Sequence, residues 1–321
     1  MKAVSIVVLD GGALNPGDLS WSALQQLGAV EIYNDTPENL LVERATGAEV
    51  VLTNKARLRR IDLDHLPRLR YVGVVATGYN IVDVNSARDR GIVVTNVPDY
   101  GSDSVAQFVF ALLLELCHNL RAHTTVTSSG EWSRSSSWSL YQGSLVELAG
   151  LTLGILGFGR IGRRTAQIGD AFGMKILASS RTASDLPPLH SFRWVDLDTL
   201  LRESDIVSLH APLAPGNVGI INKERLRQMK STAFLINTSR GGLVVERDLA
   251  EALNQGQIAG AALDVLNDEP PAPNNPLLSA TNCIVTPHIA WATKQARSRL
   301  MSIAVGNVAA FLHGHPTNVV D

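Results

Sequence analysis

Short apolar runs rich in β-branched residues alternate with longer stretches of helical periodicity along nearly all of the 321 residues. That alternation predicts strand–helix–strand units and parallel sheets. A first set of runs falls at 5–9, 29–33, 49–53, 71–76 and 92–96. A long helical pattern at 102–119 follows, and then a polar stretch at 124–142 rich in Ser and Trp. A second set occupies 151–156, 175–179, 205–210, 233–238, 259–265 and 283–287, and a last amphipathic helix at 292–313 closes the chain. The expected fold class is α/β, with two Rossmann-like, doubly wound parallel-sheet domains. The final helix is long enough to return to the first set. Residues 1–100 plus 291–321 are therefore expected to form one flavodoxin-like, substrate-binding (catalytic) domain. Residues 101–290 are expected to form a dinucleotide-binding Rossmann domain. In such sheets ligands bind outside the carboxyl ends of the strands, which places the expected active site in the cleft between the domains.

Composition narrows the class without naming a chemistry. The apolar fraction of 45% supplies a sizeable core, and a net charge of −2 with scattered Lys and Arg points to neither nucleic acid nor a membrane surface. Cys117 and Cys283 are the only cysteines, so no disulfide framework is expected and a reducing compartment fits. The first residues run straight into a strand pattern with no signal-peptide layout, and the apolar stretch at 105–117 is broken by Gln107 and Glu115. A cytoplasmic protein without a metal is the expectation.

The sharpest local signal is Gly157-Phe158-Gly159-Arg160-Ile161-Gly162, directly after the run at 151–156 and at the start of a helical pattern. Strand, glycine turn and helix is the context a dinucleotide fingerprint requires. Gly157 permits the tight turn, and Gly159 lets backbone approach a pyrophosphate. Gly162 lets the helix lie close to the strand, and the free N–H groups at Arg160 and Ile161 face the anion. About 20 residues on, an acid is expected to hold the ribose of NAD. This chain has Ser179-Ser180-Arg181-Thr182 there. A carboxylate would repel an adenosine 2′-phosphate, whereas Arg181 attracts it and Ser180 and Thr182 add hydroxyl donors. The cofactor expected is therefore NADP(H) in preference to NAD(H). Pro212 and Thr238 complete the predicted cofactor lining together with Asp264. An acid inside an apolar run needs a partner, and either the nicotinamide carboxamide or a backbone donor would serve.

Three consecutive runs of the second set end in a titratable residue. Asn237-Thr238-Ser239 leads to Arg240, Leu263-Asp264-Val265 leads to Glu269, and Val285-Thr286-Pro287 leads to His288. If those strands are neighbours, the three converge. His288 can then pass a proton to a carbonyl oxygen as hydride reaches carbon, and Glu269 can orient the imidazole and favour its charged form. Arg240 offers a planar fork to a carboxylate. Each alone also fits an ordinary setting: a satisfied strand-end histidine, a solvated loop acid, a surface turn. Their placement on successive strand ends favours a site.

In order and spacing these motifs resemble the D-isomer-specific 2-hydroxyacid dehydrogenases, from Val75-Ala76-Thr77-Gly78-Tyr79-Asn80 to Pro287-His288-Ile289-Ala290-Trp291. The resemblance implies a catalytic trio of Arg240, Glu269 and His288. It also implies a substrate-carboxylate loop at Val75, Ala76, Thr77 and Gly78, whose backbone N–H groups would form an anion nest. Residues 96–107, Gly130-Glu131-Trp132 and Ala290-Trp291-Ala292-Thr293 look most like the glycerate dehydrogenase or hydroxypyruvate (glyoxylate) reductase branch. Trp291 would then wall the substrate pocket, and the stretch bearing Trp138 and Tyr141 would face a homodimer partner. The activity implied is reduction of a small 2-keto acid to the D-2-hydroxy acid. A cofactor-sensing regulator of the same fold, such as the C-terminal-binding corepressors, and a dehydrogenase of formate or phosphite are the competing readings. The intact trio argues for the enzyme, and Ile289-Ala290 after the histidine argues against formate.

Overall fold

A computed structural model of the chain describes residues 3–181 and 188–320. It divides into two compact units: residues up to Gly101 together with those from Ala292 onward, and Ser102–Trp291.

The first unit is built on five strands: β1 (Ser5–Val8), β2 (Ala29–Ile32), β3 (Val50–Thr53), β4 (Tyr71–Val74) and β5 (Val93–Thr95). All pair in parallel in the order β2-β1-β3-β4-β5. β3 and β4 are buried along their whole length, as continuous apolar runs covered on both faces must be. Near the end of the chain a helix, Lys294–Leu312, packs here, with the Phe311 ring 4.8 Å from that of Tyr71. Its Arg297 is buried and forks onto Asp18 at 2.7 and 2.8 Å.

The second unit holds seven parallel strands: β6 (Thr152–Leu156), β7 (Lys175–Ser179), β8 (Phe192–Trp194), β9 (Ile206–Leu209), β10 (Phe234–Asn237), β11 (Gly260–Leu263) and β12 (Cys283–Val285). Their order is β12-β11-β10-β9-β6-β7-β8, so the chain reverses direction across the sheet between β6 and β9. That switch point is where an open α/β sheet receives its ligand. β10, β11 and β12 are consecutive neighbours, which meets the condition set by their strand-end residues. Helix α1 (Ser102–His118) buries nine residues, of which Val109, Phe110, Leu113 and Cys117 share a core with the sheet.

β8 and the helix Leu120–Ser128 lie outside the set predicted from hydrophobic pattern. β8 is only three residues long, with a charged Arg193 at its centre, held through the Phe192 and Trp194 rings against Phe158. Helix Leu120–Ser128 buries no residue at all, so it carries no apolar stripe to announce it. Among the described residues no single helix is long and apolar enough to cross a membrane.

Candidate active site

The glycine loop has the geometry its sequence implies. Gly157 stands at φ +94, where a Cβ would lie 2.6 Å from the Ala211 nitrogen. A Cβ on Gly162 would lie 2.3 Å from the Gly157 carbonyl oxygen, so the helix Arg160–Ala171 can sit this close only with glycine there. Gly159, the residue before that helix, has nothing within 4 Å of where a Cβ would be. No side chain therefore crowds the start of the helix, which Arg160 and Ile161 open. The Gly157 N–H donates to the Ser179 carbonyl at 2.8 Å, which brings Ser180 and the exposed Arg181 beside the loop. Thr182 lies outside the described residues. Pro212 follows β9 across the switch point, and its carbonyl accepts from Asn217 Nδ2 at 2.8 Å. Thr238 Oγ1 is buried without a protein partner. A buried hydroxyl in want of a partner and a side-chain-free helix start both fit a dinucleotide, so these residues can hold one.

At the end of β12 the backbone turns sharply. His288 adopts φ +55, a left-handed conformation that costs a non-glycine residue on the order of 1–3 kcal/mol. The turn persists because Asp264 over-determines it. That carboxylate is 1% exposed and accepts from Thr286 Oγ1 (2.7 Å), the Ile289 N–H (2.9 Å) and the Ala290 N–H (2.8 Å). Burial raises its pKa, against the opposing pull of those donors. The two partners proposed for Asp264 are thereby resolved in favour of protein donors. Those three donors tie the acid to the loop. Two contacts not foreseen from sequence complete the clamp. Trp291 Nε1 donates to the His288 carbonyl at 3.0 Å, and Ser104 Oγ donates to that of Ala290 at 2.7 Å.

The clamp leaves the imidazole outward. His288 Nδ1 lies 2.6 Å from Glu269 Oε2, with the pair about a quarter to a third exposed. Glu269 Oε1 accepts from the Leu266 N–H at 3.1 Å, so the acid is oriented at both oxygens. One shared post steadies this turn. The Asn267 N–H donates to Glu246 at 2.7 Å, and a Cβ on Gly241 would lie 2.0 Å from the Leu266 carbonyl carbon. Glycine after Arg240 is therefore required for the β10 loop to approach the turn that leads to Glu269. Arg240 itself is exposed, and its Nη1 donates to the Ser239 carbonyl at 2.7 Å. Most of its fork remains for an anion. Glu246 was not anticipated from the sequence, although an acid in the first turn of Glu246–Asn254 is a usable signal.

In the first unit, taken by itself, the 75–78 loop follows β4. The Val75 N–H extends the sheet to the Thr53 carbonyl at 2.8 Å, and its side chain is buried. The four-residue nest expected from sequence is thus corrected to the three N–H groups that follow. The carbonyls of Val75, Ala76 and Thr77 accept from Asn54 Nδ2 (2.8 Å), the Val97 N–H (3.0 Å) and Asn96 Nδ2 (2.7 Å). In a planar trans peptide the N–H points opposite to the preceding C=O. The N–H groups of Ala76, Thr77 and Gly78 are therefore turned away from those three partners, with no acceptor among the described residues.

Comparison with known proteins matches this architecture. Residues 110–290 fit the model described as D-isomer specific 2-hydroxyacid dehydrogenase, NAD binding domain. A hydroxypyruvate reductase of Blautia hydrogenotrophica is 47% identical over 321 residues, 99% of this chain and all of that protein. A glycerate dehydrogenase of Methylorubrum extorquens is 41% identical over 89% of each chain. Among solved structures, an NADPH-dependent glyoxylate/hydroxypyruvate reductase from Sinorhizobium meliloti, in complex with NADP and malonate, superposes with a TM-score of 0.82. It is 28% identical, and the match covers 99% of this chain and 97% of that one. A full-length relative near half identity, and a family model spanning more than half the sequence, leave one conclusion: the chain belongs to the D-isomer-specific 2-hydroxyacid dehydrogenases.

Proposed function

We propose that this chain reduces hydroxypyruvate to the D-2-hydroxy acid, or glyoxylate to the achiral 2-hydroxy acid, with NADPH as the favoured reductant. The observation that carries the reading is the 2.6 Å His288–Glu269 pair at the end of β12, on a turn over-determined by Asp264. The nicotinamide cofactor supplies the hydride when bound. His288 delivers the proton to the substrate carbonyl oxygen and retrieves it in the reverse direction. Glu269 keeps the imidazole aimed. Arg240 offers its fork to a carboxylate and neighbouring carbonyl oxygen, and in the first unit the N–H groups of Ala76, Thr77 and Gly78 offer donors suited to a carboxylate. Trp291, fixed by its bond to the His288 carbonyl, walls the pocket for a small substrate.

Support for NADPH is electrostatic. Ser180 stands where an acid would hold a ribose hydroxyl, and the exposed Arg181 follows it, beside the glycine loop. Gly157, Gly159, Arg160, Ile161, Pro212 and Thr238 complete the cofactor site in this reading. Steady-state kinetics with both cofactors and hydroxypyruvate, glyoxylate and pyruvate test it. The expectation is a higher kcat/KM with NADPH, and a rise in KM for NADPH in Arg181→Ala. A higher kcat/KM with NADH would overturn the preference. No turnover of any of the three acids, despite tight cofactor binding, would favour a sensor instead. We further propose a homodimer. Leu120, Trp132, Trp138, Tyr141 and Leu145 are all exposed large apolar residues close in sequence, and light scattering would show twice the chain mass of 34.5 kDa.

A further inference from the structure

The acid at the end of β1 has no part in the scheme above, yet its oxygens are at least as fully engaged as those of Asp264. Asp10 is 7% exposed, and its Oδ1 accepts from the Asn54 N–H at 2.7 Å. Its Oδ2 accepts from the Lys55 N–H, from the Ala56 N–H at 2.8 Å and from Thr53 Oγ1 at 3.3 Å. One carboxylate thus gathers three successive backbone donors and shapes the turn after β3. A buried charge is tolerated only when so satisfied, and in return it fixes the turn firmly. The residue presented by that turn is Asn54, itself buried, whose Nδ2 reaches across to the Val75 carbonyl.

We infer that Asp10 and Asn54 are positioning residues for substrate carboxylate binding: Asp10 sets the turn, and Asn54 holds the Val75 peptide so that the Ala76 N–H faces outward. The inference rests on the assignment of the 75–78 loop in the preceding subsection. Without a donor on the Val75 oxygen, the 75–76 peptide is free to rotate, and rotation exchanges an outward N–H for an outward carbonyl. A carbonyl oxygen aimed at the carboxylate repels it. The effect therefore falls on recognition of the acid group and not on the hydride or proton steps.

The test compares Asn54→Ala, Asn54→Ser and Asp10→Asn with the unaltered protein. The substrates are glyoxylate and its neutral methyl ester, and NADPH affinity is followed by fluorescence. Expected is a rise in glyoxylate KM of roughly 10- to 100-fold with kcat within about threefold of the starting value. NADPH affinity should be unchanged. The preference for acid over ester should shrink by a similar factor, because the ester never used the anion site. Equal losses for acid and ester, or an unchanged glyoxylate KM in either Asn54 variant that folds, would overturn the inference. Should both Asn54 variants fail to fold, Asp10→Asn carries the same acid-to-ester criterion. If the unaltered protein reduces no 2-keto acid, the functional reading itself falls. If it reduces them and the variants match it, only the positioning role falls.

Discussion

The His288 turn and the 75–78 loop are both strand-end loops held by a buried aspartate, and they are held in opposite senses. Asp264 binds N–H groups directly: those of Ile289 and Ala290 are consumed, and what remains to face a ligand is the imidazole of His288. Asp10 works through Asn54, which consumes the carbonyl of 75; those of 76 and 77 are taken by the Val97 N–H and Asn96, and what remains is a row of N–H groups. A carboxylate can only accept, so the acid placed next to a loop uses up donors, whereas an amide side chain can use up acceptors. The choice of Asp or Asn at the contact thus decides whether a loop offers its side chain or its backbone.

That contrast can be broken from either side. His288→Ala removes the group the first loop exists to present, and should lower kcat by on the order of 10²–10⁴. Near-normal turnover in a stopped assay would show that another group supplies the proton. Asp264→Ala leaves the imidazole in place and frees its turn from φ +55, so a kcat loss of about 10² with NADPH affinity intact is expected. Loss of NADPH affinity as well would give Asp264 a contact with the cofactor in addition to its hold on the loop.

A second strand-end histidine sharpens the comparison through pH. His210, after β9, is partly exposed by surface area but closely ringed by protein, with Nε2 2.8 Å from Ser208 Oγ, and burial pushes its pKa down to about 4. Its folded value lies below the unfolded value of about 6.5, so the unfolded chain binds the extra proton between them. The stability that neutral His210 contributes is complete above pH 6.5 and is lost as pH falls toward 4. Between pH 6.5 and 5 the loss should be about 1–2 kcal/mol, and denaturant titrations of His210→Gln should show it largely removed. A stability curve unchanged by that substitution would mean that the imidazole is not buried neutral. Smallest is Thr77→Val, which deletes the 2.9 Å bond from Thr77 Oγ1 to the Val97 carbonyl. One such bond is worth about 1 kcal/mol, so KM for the keto acid should rise by less than about tenfold. A larger rise would give this hydroxyl a direct contact with substrate.

Much of this was legible in sequence, and the reason is locality. Gly157 and Gly162 announce their turn because each steric demand comes from residues near in sequence or from a neighbouring strand. Arg240, Glu269 and His288 could be brought together by the rule that ligands sit at strand ends, once β10, β11 and β12 were taken as neighbours. β8 was not legible, since three residues with a charge at the centre carry too little pattern. Nor was the work of Asp10, whose partners lie more than 40 residues away and are mostly backbone groups that any residue type supplies. Asp264 stood out as a polar residue in an apolar run, but only coordinates could say which donors it had found.

The contact of Gly241 with the Leu266 backbone has an evolutionary consequence. Because Arg240 and Glu269 hang from loops that touch at that point, neither can shift without displacing the other. Substitutions around it should be strongly epistatic, with paired changes departing from the sum of the single ones. A lineage adapting to a new acid would then find its accessible changes elsewhere, in the pocket walls and the cofactor loop, while this junction stays fixed.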